Sequence, residues 1–535
     1  MRSALATRNP DSLLDWALAY RFLQGKPMRL TPALQDLYQD DHPFIVIQKA
    51  AQVGISEYLI NTALWAADTG RGGRGNALYV MPTQGHVDDF SQARFDKAIA
   101  ESPYLQRRLF PPPPGRQGPA RQRLKKVGLG YIYLRGSDSR RQLTSVDADV
   151  VLLDEFDLMA EGVLELAQKR LASSKLGWLR VVSTPRLPEA GINALFLQSD
   201  QRYYFLKCPA CGLAQRLEWE QNVDQKRAQV ICRRSRCRKP LDLWAPGHWE
   251  ITCPGNSDVH GYHLNRLYSP MANTAQMVYE SQATTPAALQ EFHNSDLGET
   301  FVPPGGRISI DTLDRCRRDY ELPGGADTDT YMGVDVGLKL HVVIRQRLGE
   351  DRSRALFIGE VDTFEELGRF IERYRVHRCV LDALPESHKA REFARRWHPK
   401  VWRAYYDRQE GDHEWDRGGQ AGENTVHINR VQALDEMFDR FHQAKAELPS
   451  KARHLGGRVE NGLGEYYRQM MALNRTLEQN AQGNWVARYL DGGKDDHYAQ
   501  AEVYCLFASK DFRIQAFRHE DIARAFSEEV KPWDL

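Results

Sequence analysis

Residues 44–62, FIVIQKAAQVGISEYLINT, decide the fold of the first part of this chain. FIVIQ is a short apolar run typical of a buried strand, and EYLINT opens a segment of helical composition. The loop between them brings backbone N–H groups to the start of a helix, where the helix dipole also favours an anion. The stretch therefore predicts a strand–loop–helix unit that holds a phosphate group.

This loop departs from the common phosphate-binding pattern GxxxxGK[ST]. Ile55 stands where the pattern has lysine, whereas Lys49 lies at the front of the loop and Ser56 takes the position that ligates Mg²⁺. We expect Lys49 to reach the phosphates, and further nucleotide contacts to come from Gln52, Val53, Gly54 and Ile55. On its own, the segment is also compatible with an ordinary strand–loop–helix joint.

A second stretch, VVLLDEFD, is an apolar strand that ends in Asp154 and Glu155. An aspartate at the end of a buried strand can hold Mg²⁺, and a glutamate beside it can polarise the attacking water. The later stretch VVSTP supplies Ser183 and Thr184, which we expect to sense the γ-phosphate. Taken together, these stretches predict an ATPase core.

Further apolar runs, NALYVMP and YIYLRG among them, alternate with helical segments. This alternation predicts an α/β fold with a P-loop-type parallel sheet, and we assign the ATPase domain to residues 1–200. The Pro- and Arg-rich segment at 111–126 is predicted to be a loop.

Two close cysteine pairs follow, and we assign residues 201–255 to a zinc-ribbon-like insertion. CPAC has the usual two-residue gap, whereas CRRSRC has four intervening residues. Four thiolates on two turns suit a tetrahedral Zn²⁺ with a structural role, although four unrelated thiols are the alternative. The predicted ligands are Cys208, Cys211, Cys232 and Cys237.

A second α/β unit, assigned to residues 326–510, carries spaced acids. YMGVDVG places Asp335 within a first strand, and CVLD places Asp382 at the end of a later strand. GGKDDHYAQ puts Asp495 and Asp496 at the start of a final helix. Such carboxylates can converge on two Mg²⁺ or Mn²⁺ ions for phosphodiester hydrolysis, as on an RNase H-like sheet, although each alone also fits a solvated strand end or an N-cap.

The composition of the chain excludes several classes of protein. Lys plus Arg total 72 and Asp plus Glu total 71, so the net charge of +1 excludes a uniformly basic nucleic-acid coat protein but not a local basic groove. Eight cysteines in 535 residues are too few for a disulfide scaffold. No apolar run is long enough to span a bilayer and no signal peptide is evident, so we expect a cytoplasmic protein. Residues 256–325 are assigned to a connector and 511–535 to a tail.

The order of ATPase, cysteine pairs and RNase H-like nuclease resembles the large terminase subunits of tailed bacteriophages, most closely the branch typified by phage lambda. The resemblance covers roughly residues 30–510 and rests on KAAQVGIS with its leading Lys49, on VVLLDEFD and VVSTP, and on HGYHLNRLYSP and DDHYAQAEVYCLFA. Where the last motif is expected to carry a further acid, this chain has Gln500, which leaves the third nuclease ligand open between Asp495 and Asp496.

The resemblance implies a motor that couples ATP hydrolysis to translocation of double-stranded DNA into a procapsid, and an endonuclease that cuts concatemeric DNA. It implies a ring, commonly a pentamer, at the portal, a small terminase subunit as partner, and the host cytoplasm as location. It also suggests Arg140 or Arg141 as an arginine finger for a neighbouring subunit, and Gln35 as a reader of the adenine edge.

Two other functions remain open at the level of sequence. A chromosomal helicase–nuclease of repair or restriction would share the ATPase strands, although such helicases pair two ATPase cores and one is visible here. A zinc-bearing DNA scaffold with degenerate sites is the non-enzymatic alternative, and the irregular phosphate loop is its best support.

Overall fold

The computed structural model describes residues 12–109, 123–349, 351–408, 413–416, 423–451, 462–480 and 483–510. It divides the chain into two compact units, Met1–Phe301 and Val302–Leu535. Most of the predicted loop at 111–126 and all of the predicted tail at 511–535 lie outside the described residues. The end of that predicted loop is instead the start of strand Leu124–Val127, which pairs with Gly130–Gly136.

A 10-stranded sheet organises the first unit. Its central strands run parallel, and antiparallel pairing occurs only towards the two edges. The parallel sheet expected from the alternation of strands and helices is therefore confirmed. In spatial order the strands are Ala214–Arg216, Arg202–Lys207, His260–Leu264, Phe44–Lys49, Trp178–Ser183, Val150–Asp154, Ala77–Met81, Gly130–Gly136 and Leu124–Val127, and Gly247–Ile251 pairs with Arg202–Lys207.

Apolar side chains cover both faces of this sheet. Along Phe44–Lys49, Ile45 and Ile47 belong to one buried cluster and Val46 to another, because successive side chains point to opposite faces. The described helices of the unit are Leu13–Tyr20, Pro32–Gln39, Ile55–Thr69, Gln84–Phe90, Lys97–Ala100, Pro103–Arg108, Arg140–Thr144, Val163–Arg170, Gly191–Leu197, Trp219–Asn222, Thr274–Ser281 and Pro286–Glu291.

The strand His260–Leu264 shows that this unit extends past the residues assigned to the ATPase domain. It comes from the segment assigned to a connector, yet it lies within the first sheet, beside Phe44–Lys49. The strand on its other side, Arg202–Lys207, comes from the segment assigned to the zinc-ribbon-like insertion. Tyr262 and Leu264 are buried, so the strand is held by the core that it completes.

A 9-stranded mixed sheet organises the second unit. An antiparallel meander of three strands leads into parallel strands, which is the RNase H-like arrangement expected from the sequence. In spatial order the strands are Arg317–Glu321, Ala446–Lys451, Ser353–Val361, Leu340–Arg347, Thr330–Val336, Val376–Asp382, Val401–Arg408, Asn424–Asn429 and Glu414–Asp416.

Helices flank this second sheet, and a separate hairpin pairs Asn474–Gln479 with Trp485–Leu490. Among the described residues, the helices are Ile310–Cys316, Phe364–Arg373, Ser387–Arg396, Arg430–His442, Gly462–Met470 and His497–Ser509. In neither unit does a described helix combine the length and the apolar character needed to cross a lipid bilayer.

Gly333 lets the last helix pack directly on the central strand Thr330–Val336. A Cβ atom at this position would lie 2.0 Å from the carbonyl oxygen of Ala501 and 2.1 Å from the backbone nitrogen of Cys505. Asp335 lies two residues further along the strand and therefore on the same face as Gly333. The close approach thus brings the start of helix His497–Ser509 over Asp335.

Candidate active sites and metal centre

The phosphate loop, residues 50–54, turns sharply between strand Phe44–Lys49 and helix Ile55–Thr69. Gln52 and Gly54 both have positive φ values, 58° and 87°, which are left-handed backbone conformations. Successive turns of this kind aim backbone N–H groups into a concave anion site. The loop has the backbone shape of a phosphate cradle although its sequence lacks the common lysine.

Backbone hydrogen bonds fix the front of the phosphate loop. Ala50 donates to the carbonyl oxygen of Leu264 at 2.8 Å, and Ala51 donates to that of Ser295 at 2.6 Å. Their amides are thus engaged within the protein, and phosphate contacts are left to Gln52 and the residues that follow it. The segment assigned to a connector therefore anchors this loop.

Lys49, Glu155 and Thr184 meet at the carboxyl ends of three parallel strands. The Nζ atom of Lys49 donates to Oε1 of Glu155 at 2.7 Å, and the Thr184 hydroxyl donates to Oε2 at 3.2 Å. Lys49 is buried, whereas the Glu155 side chain is partly exposed. Glu155 also has a positive φ of 61°, so its position depends on this set of contacts.

Asp154 lies beside this group in a fully buried position. The Tyr79 hydroxyl donates to its Oδ2 atom at 2.6 Å, whereas Oδ1 has no hydrogen-bond partner among the described residues. Burial raises the pKa of Asp154 and the Glu155 charge raises it further, whereas Lys49, Tyr79 and the Ser56 side chain lower it. A buried carboxylate oxygen left without a partner, with the Ser56 side chain nearby, fits a Mg²⁺ ligand.

The residue expected to contact adenine and the two expected to act as an arginine finger lie on different helices of the first unit. Gln35 lies on helix Pro32–Gln39, which borders the phosphate loop through Leu34, and its amide donates to the carbonyl oxygen of Leu30 at 3.0 Å. Arg140 and Arg141 are exposed on a helix that follows strand Gly130–Gly136.

That strand lies four places along the sheet from Phe44–Lys49, or about 19 Å at about 4.8 Å per strand. The Arg140 guanidinium itself lies beside Gly162, in the segment that follows strand Val150–Asp154. Among the described residues, no hydrogen bond or ion pair joins Arg140 or Arg141 to the phosphate loop.

Arg266 is a residue at this site that sequence reasoning missed. Its guanidinium donates to Oδ1 of Asp296 at 2.6 Å and to Oε1 of Gln52 at 3.1 Å, so a cation stands beside the phosphate loop. It belongs to HGYHLNRLYSP, which shows no periodicity or spacing that links it to the loop. Only strand His260–Leu264, entering the sheet beside Phe44–Lys49, brings it there.

The four predicted cysteines form one cluster. Their sulfur atoms all lie within 4.8 Å of one another, with 3.8 Å between Cys208 and Cys237 and 3.6 Å between Cys211 and Cys232. Four sulfurs about 2.3 Å from a central Zn²⁺ would stand about 3.8 Å apart. Both the donor set and its spacing therefore fit a tetrahedral metal ion.

Polar groups around this cluster favour a thiolate at Cys232, whereas the neighbouring thiols raise the pKa of Cys211 to about 11. Burial raises the pKa of Cys232, but the backbone N–H of Arg234, the Gln215 amide and the neighbouring thiols outweigh it and lower the pKa to about 7. Gln215 is buried, and its Nε2 atom donates to the Cys232 sulfur at 3.5 Å. An outer hydrogen bond of this kind orients a metal ligand.

In the second unit, Asp335 and Asp382 take facing positions near the carboxyl ends of neighbouring parallel strands. Val334 pairs with Leu381, so Asp335 and Asp382 are the next residues to face each other across the two strands. Burial raises the pKa of Asp382 to about 6, and the Asp335 charge contributes in the same direction. Two carboxylates at facing positions of neighbouring strands can share divalent metal ions.

The start of helix His497–Ser509 adds further groups. Asp496 precedes the helix and is mostly buried, with 18% of its side chain exposed, whereas the Asp495 side chain is 71% exposed. Burial raises the pKa of Asp496, and the Asp335 charge adds to this, whereas Gln500 and Arg430 lower it. The structure thus brings Asp496 into the electrostatic environment of Asp335.

Two further residues at this site, His341 and Glu360, were also missed. His341 pairs with Asp335 across the antiparallel strands, and Glu360 pairs with His341 on the next strand. The Nδ1 atom of His497 lies 2.9 Å from Oδ2 of Asp335. His341 follows GLKL in a stretch without a motif, so strand register alone reveals it. We call Glu360, His341, Asp335 and Asp382 the polar row.

Two family models match the chain, and the second covers Asp335 and His341 but not Asp382 or Asp496. The model described as phage terminase large subunit gpA, ATPase domain, matches residues 29–252, and that described as terminase large subunit gpA, endonuclease domain, matches residues 259–342. The chain belongs to the gpA family of phage terminase large subunits. It therefore carries an ATPase and an endonuclease domain, and the helicase–nuclease and scaffold alternatives find no support.

Solved structures of large terminases are similar to this chain. The large terminase of bacteriophage HK97, which supports the fold, is 13% identical, with a TM-score of 0.51, over 94% of this chain and 100% of that chain. The large terminase of a thermophilic bacteriophage, in complex with ATP-γ-S, is 12% identical over 88% of this chain and 94% of that chain, with a TM-score of 0.30. No curated protein sequence matches.

Proposed function

We propose that this terminase large subunit uses ATP hydrolysis at Lys49, Asp154 and Glu155 to move double-stranded DNA into a procapsid, and cuts concatemeric DNA at the polar row. The observation that carries the proposal is the meeting of Lys49, Glu155 and Thr184 beside a phosphate loop in one unit, with a separate carboxylate pair in the other. Two phosphate chemistries on two sheets are what a packaging motor needs.

In the ATPase unit, each residue has a role that its contacts support. Lys49 and the backbone from Gln52 to Ile55 hold the phosphates, while Ser56 and the unpaired oxygen of Asp154 hold Mg²⁺. When bound, Mg²⁺ neutralises charge on the phosphate oxygens. Glu155 orients the attacking water. Thr184 is hydrogen-bonded to Glu155 and links the nucleotide state to strand Trp178–Ser183, which it follows. Gln35 contacts the adenine from the adjoining helix.

In the nuclease unit, we assign Asp335, Asp382 and Asp496 as ligands of divalent ions, either Mg²⁺ or Mn²⁺. Asp496 is preferred over Asp495 because it is buried and senses the Asp335 charge, whereas Asp495 lies mostly in solvent. Bound ions would stabilise both the attacking and the leaving oxygen of the phosphodiester. Contacts to DNA phosphates make cleavage strongly salt-dependent and weakly sequence-dependent.

The proposed motor is an assembly of several subunits. Arg140 and Arg141 are exposed, and among the described residues neither makes a hydrogen bond or ion pair with the phosphate loop, so we assign them to the nucleotide of a neighbouring subunit in a ring. A ring of five at the portal, a small terminase subunit that selects DNA, and action in the host cytoplasm complete the proposal.

The proposal is tested by translocation on intact duplex. We expect the purified chain to displace a third strand from a DNA triplex when ATP is present, without separating the two strands of a plain duplex. Lys49→Met keeps the side-chain volume but removes the cation, so it should weaken ATP binding about 10- to 100-fold, since hydrogen bonds to charged groups contribute about 1.5–3 kcal/mol.

Lys97→Met, at an exposed lysine of the same unit, is the control and should leave displacement unchanged. Strand separation without triplex displacement would instead show a helicase and contradict the proposed motor.

We propose that zinc bound by the four clustered cysteines stabilises the edge of the first sheet. We expect one equivalent of zinc per chain by elemental analysis, falling below about a tenth in Cys232→Ser together with a lower Tm, because a structural site needs all four ligands. Cys253→Ser removes a cysteine outside the cluster and should keep the metal. Equal zinc in both variants would show that the cluster is not the site.

A further inference from the structure

Residues 226–239, KRAQVICRRSRCRK, form a strongly basic segment that the proposed ATPase and nuclease sites do not use. The segment contains seven Lys or Arg residues and no Asp or Glu. The rest of the chain has 65 Lys or Arg residues against 71 Asp or Glu residues, so its net charge is −6 and positive charge is concentrated in this segment. We call its basic side chains the basic tip: Lys226, Arg227, Arg233, Arg234, Arg236, Arg238 and Lys239.

All seven residues of the basic tip are exposed. Of the seven, only Arg227 forms an ion pair with another described residue, with 3.8 Å between its Nη1 atom and Oδ2 of Asp224. Blocks of like charge repel one another and are typical of segments that bind a partner of opposite charge. We therefore expect the counter-charge for the other six residues to come from a partner.

Backbone contacts and the cysteine cluster hold the basic tip in a folded loop. The backbone nitrogen of Cys232 donates to the carbonyl oxygen of Lys239 at 2.8 Å, and the guanidinium of Arg238 donates to that of Gln221 at 3.0 Å. Cys232 and Cys237, which lie among the arginines, belong to the cluster of four sulfurs. Because these contacts exist before a partner binds, less ordering entropy is lost on binding than in a flexible basic arm.

The composition of the segment favours the phosphate backbone of double-stranded DNA over other anionic partners. It contains no Phe, Tyr or Trp, on which the bases of a single strand would stack. Its largest apolar side chain, Ile231, is buried, so the segment exposes no large apolar anchor of the kind found at the centre of protein interfaces. Five of its seven basic residues are arginines, whose guanidinium groups pair with phosphate through two parallel hydrogen bonds.

We propose that the basic tip binds the phosphate backbone of double-stranded DNA and gives the ATPase unit a DNA contact in addition to the polar row. This inference rests on the proposed packaging motor and names a surface through which that motor holds its substrate. Phosphate contacts fix position without reading sequence, so they remain available as DNA of any sequence moves past. Because each neutralised phosphate releases counterions, the contact weakens steeply as the salt concentration rises.

The test measures binding of the full chain to a short fluorescein-labelled duplex by fluorescence anisotropy, over a range of salt concentrations and without nucleotide or added divalent ions. The triple variant Arg233→Gln, Arg236→Gln and Lys239→Gln removes three exposed charges of the basic tip. We expect duplex affinity at about 0.1 M salt to fall at least about tenfold. The slope of log K against log salt concentration should become shallower by about 0.9 per lost contact, or about 2–3 in total.

A matched control, Arg107→Gln with Lys169→Gln and Lys175→Gln, removes the same charge from exposed residues elsewhere in the same unit. The control should keep the duplex affinity and the salt slope of the unmodified chain. Equal losses in the two variants would show that binding follows net charge alone and would overturn the inference. A loss confined to single-stranded DNA of the same sequence would also overturn it. Unchanged duplex binding in the folded triple variant would overturn it as well and leave an acidic protein surface as the partner.

Folding of each variant is checked by its Tm. If the triple variant fails to fold, Arg236→Gln alone tests the same surface and should reduce the salt slope by about 1, and an unchanged slope there would contradict the proposed contact. Triplex displacement separates this inference from the proposed function. If the triple variant binds duplex normally while the unmodified chain displaces a third strand, only the basic tip fails. If the unmodified chain displaces no third strand, the proposed motor itself fails.

Discussion

Asp335→Asn is expected to reduce DNA cleavage at least about a thousandfold, or about 4 kcal/mol of transition-state stabilisation, while ATP hydrolysis continues at its normal rate. Asparagine has nearly the same shape as aspartate and can keep the contact with His497, but it lacks the charge that holds a divalent ion. Asp335 is buried near the end of strand Thr330–Val336, between His341 and Asp382 in the polar row, so its charge is central to the site. Cleavage of linear duplex DNA and ATP turnover are measured in the same preparation.

Asp329→Asn provides the control for this experiment. Asp329 immediately precedes strand Thr330–Val336, and its side chain is mostly exposed. The Asp329→Asn variant should cleave DNA at the same rate as the unmodified chain. Loss of both activities in a folded Asp335→Asn chain would mean that the two sites are not separate, and retained cleavage would remove Asp335 from the site.

Glu155→Gln is expected to lower ATP turnover about 10²- to 10⁴-fold, the range of a lost general base, while ATP affinity changes less than about threefold. The amide oxygen of glutamine can still accept the hydrogen bond from Lys49, and its amide nitrogen can donate to the Thr184 hydroxyl, so the loop geometry is preserved. It cannot accept a proton from the attacking water. Turnover is followed by phosphate release and affinity by binding of a fluorescent ATP analogue.

Glu161→Gln, at an exposed glutamate just beyond the same strand, is the matched control and should hydrolyse ATP normally. Normal turnover in Glu155→Gln would discard its assignment as the water-orienting residue. Loss of nucleotide binding in that variant would instead assign Glu155 a role in holding Lys49.

Much of the architecture follows from local sequence. FIVIQ and VVLLD are continuous apolar runs because their strands are buried on both faces, and this made the parallel sheet predictable. The acids at Asp154 and Asp335 were found because they interrupt or end such runs. The cysteine pairs were found because metal ligands repeat at fixed short spacings on turns.

Other features could not be found in this way, because they depend on residues far apart in the chain. Arg266 reaches the phosphate loop only because His260–Leu264 enters the first sheet beside Phe44–Lys49. His341 and Glu360 join Asp335 only through the register of an antiparallel meander. Our preference for Asp496 over Asp495 as the proposed ligand likewise depends on which side chain the helix start buries.

The sequence by itself therefore determined the fold class, the two phosphate chemistries and most of the residues proposed for them, since strand burial and turn chemistry leave local patterns. The tertiary structure alone decided which strands are neighbours, which backbone groups anchor the phosphate loop, and which side chains share the nuclease site. The physical reason is that strand pairing is a contact between distant segments, and its register is set by packing of the whole core rather than by any short stretch.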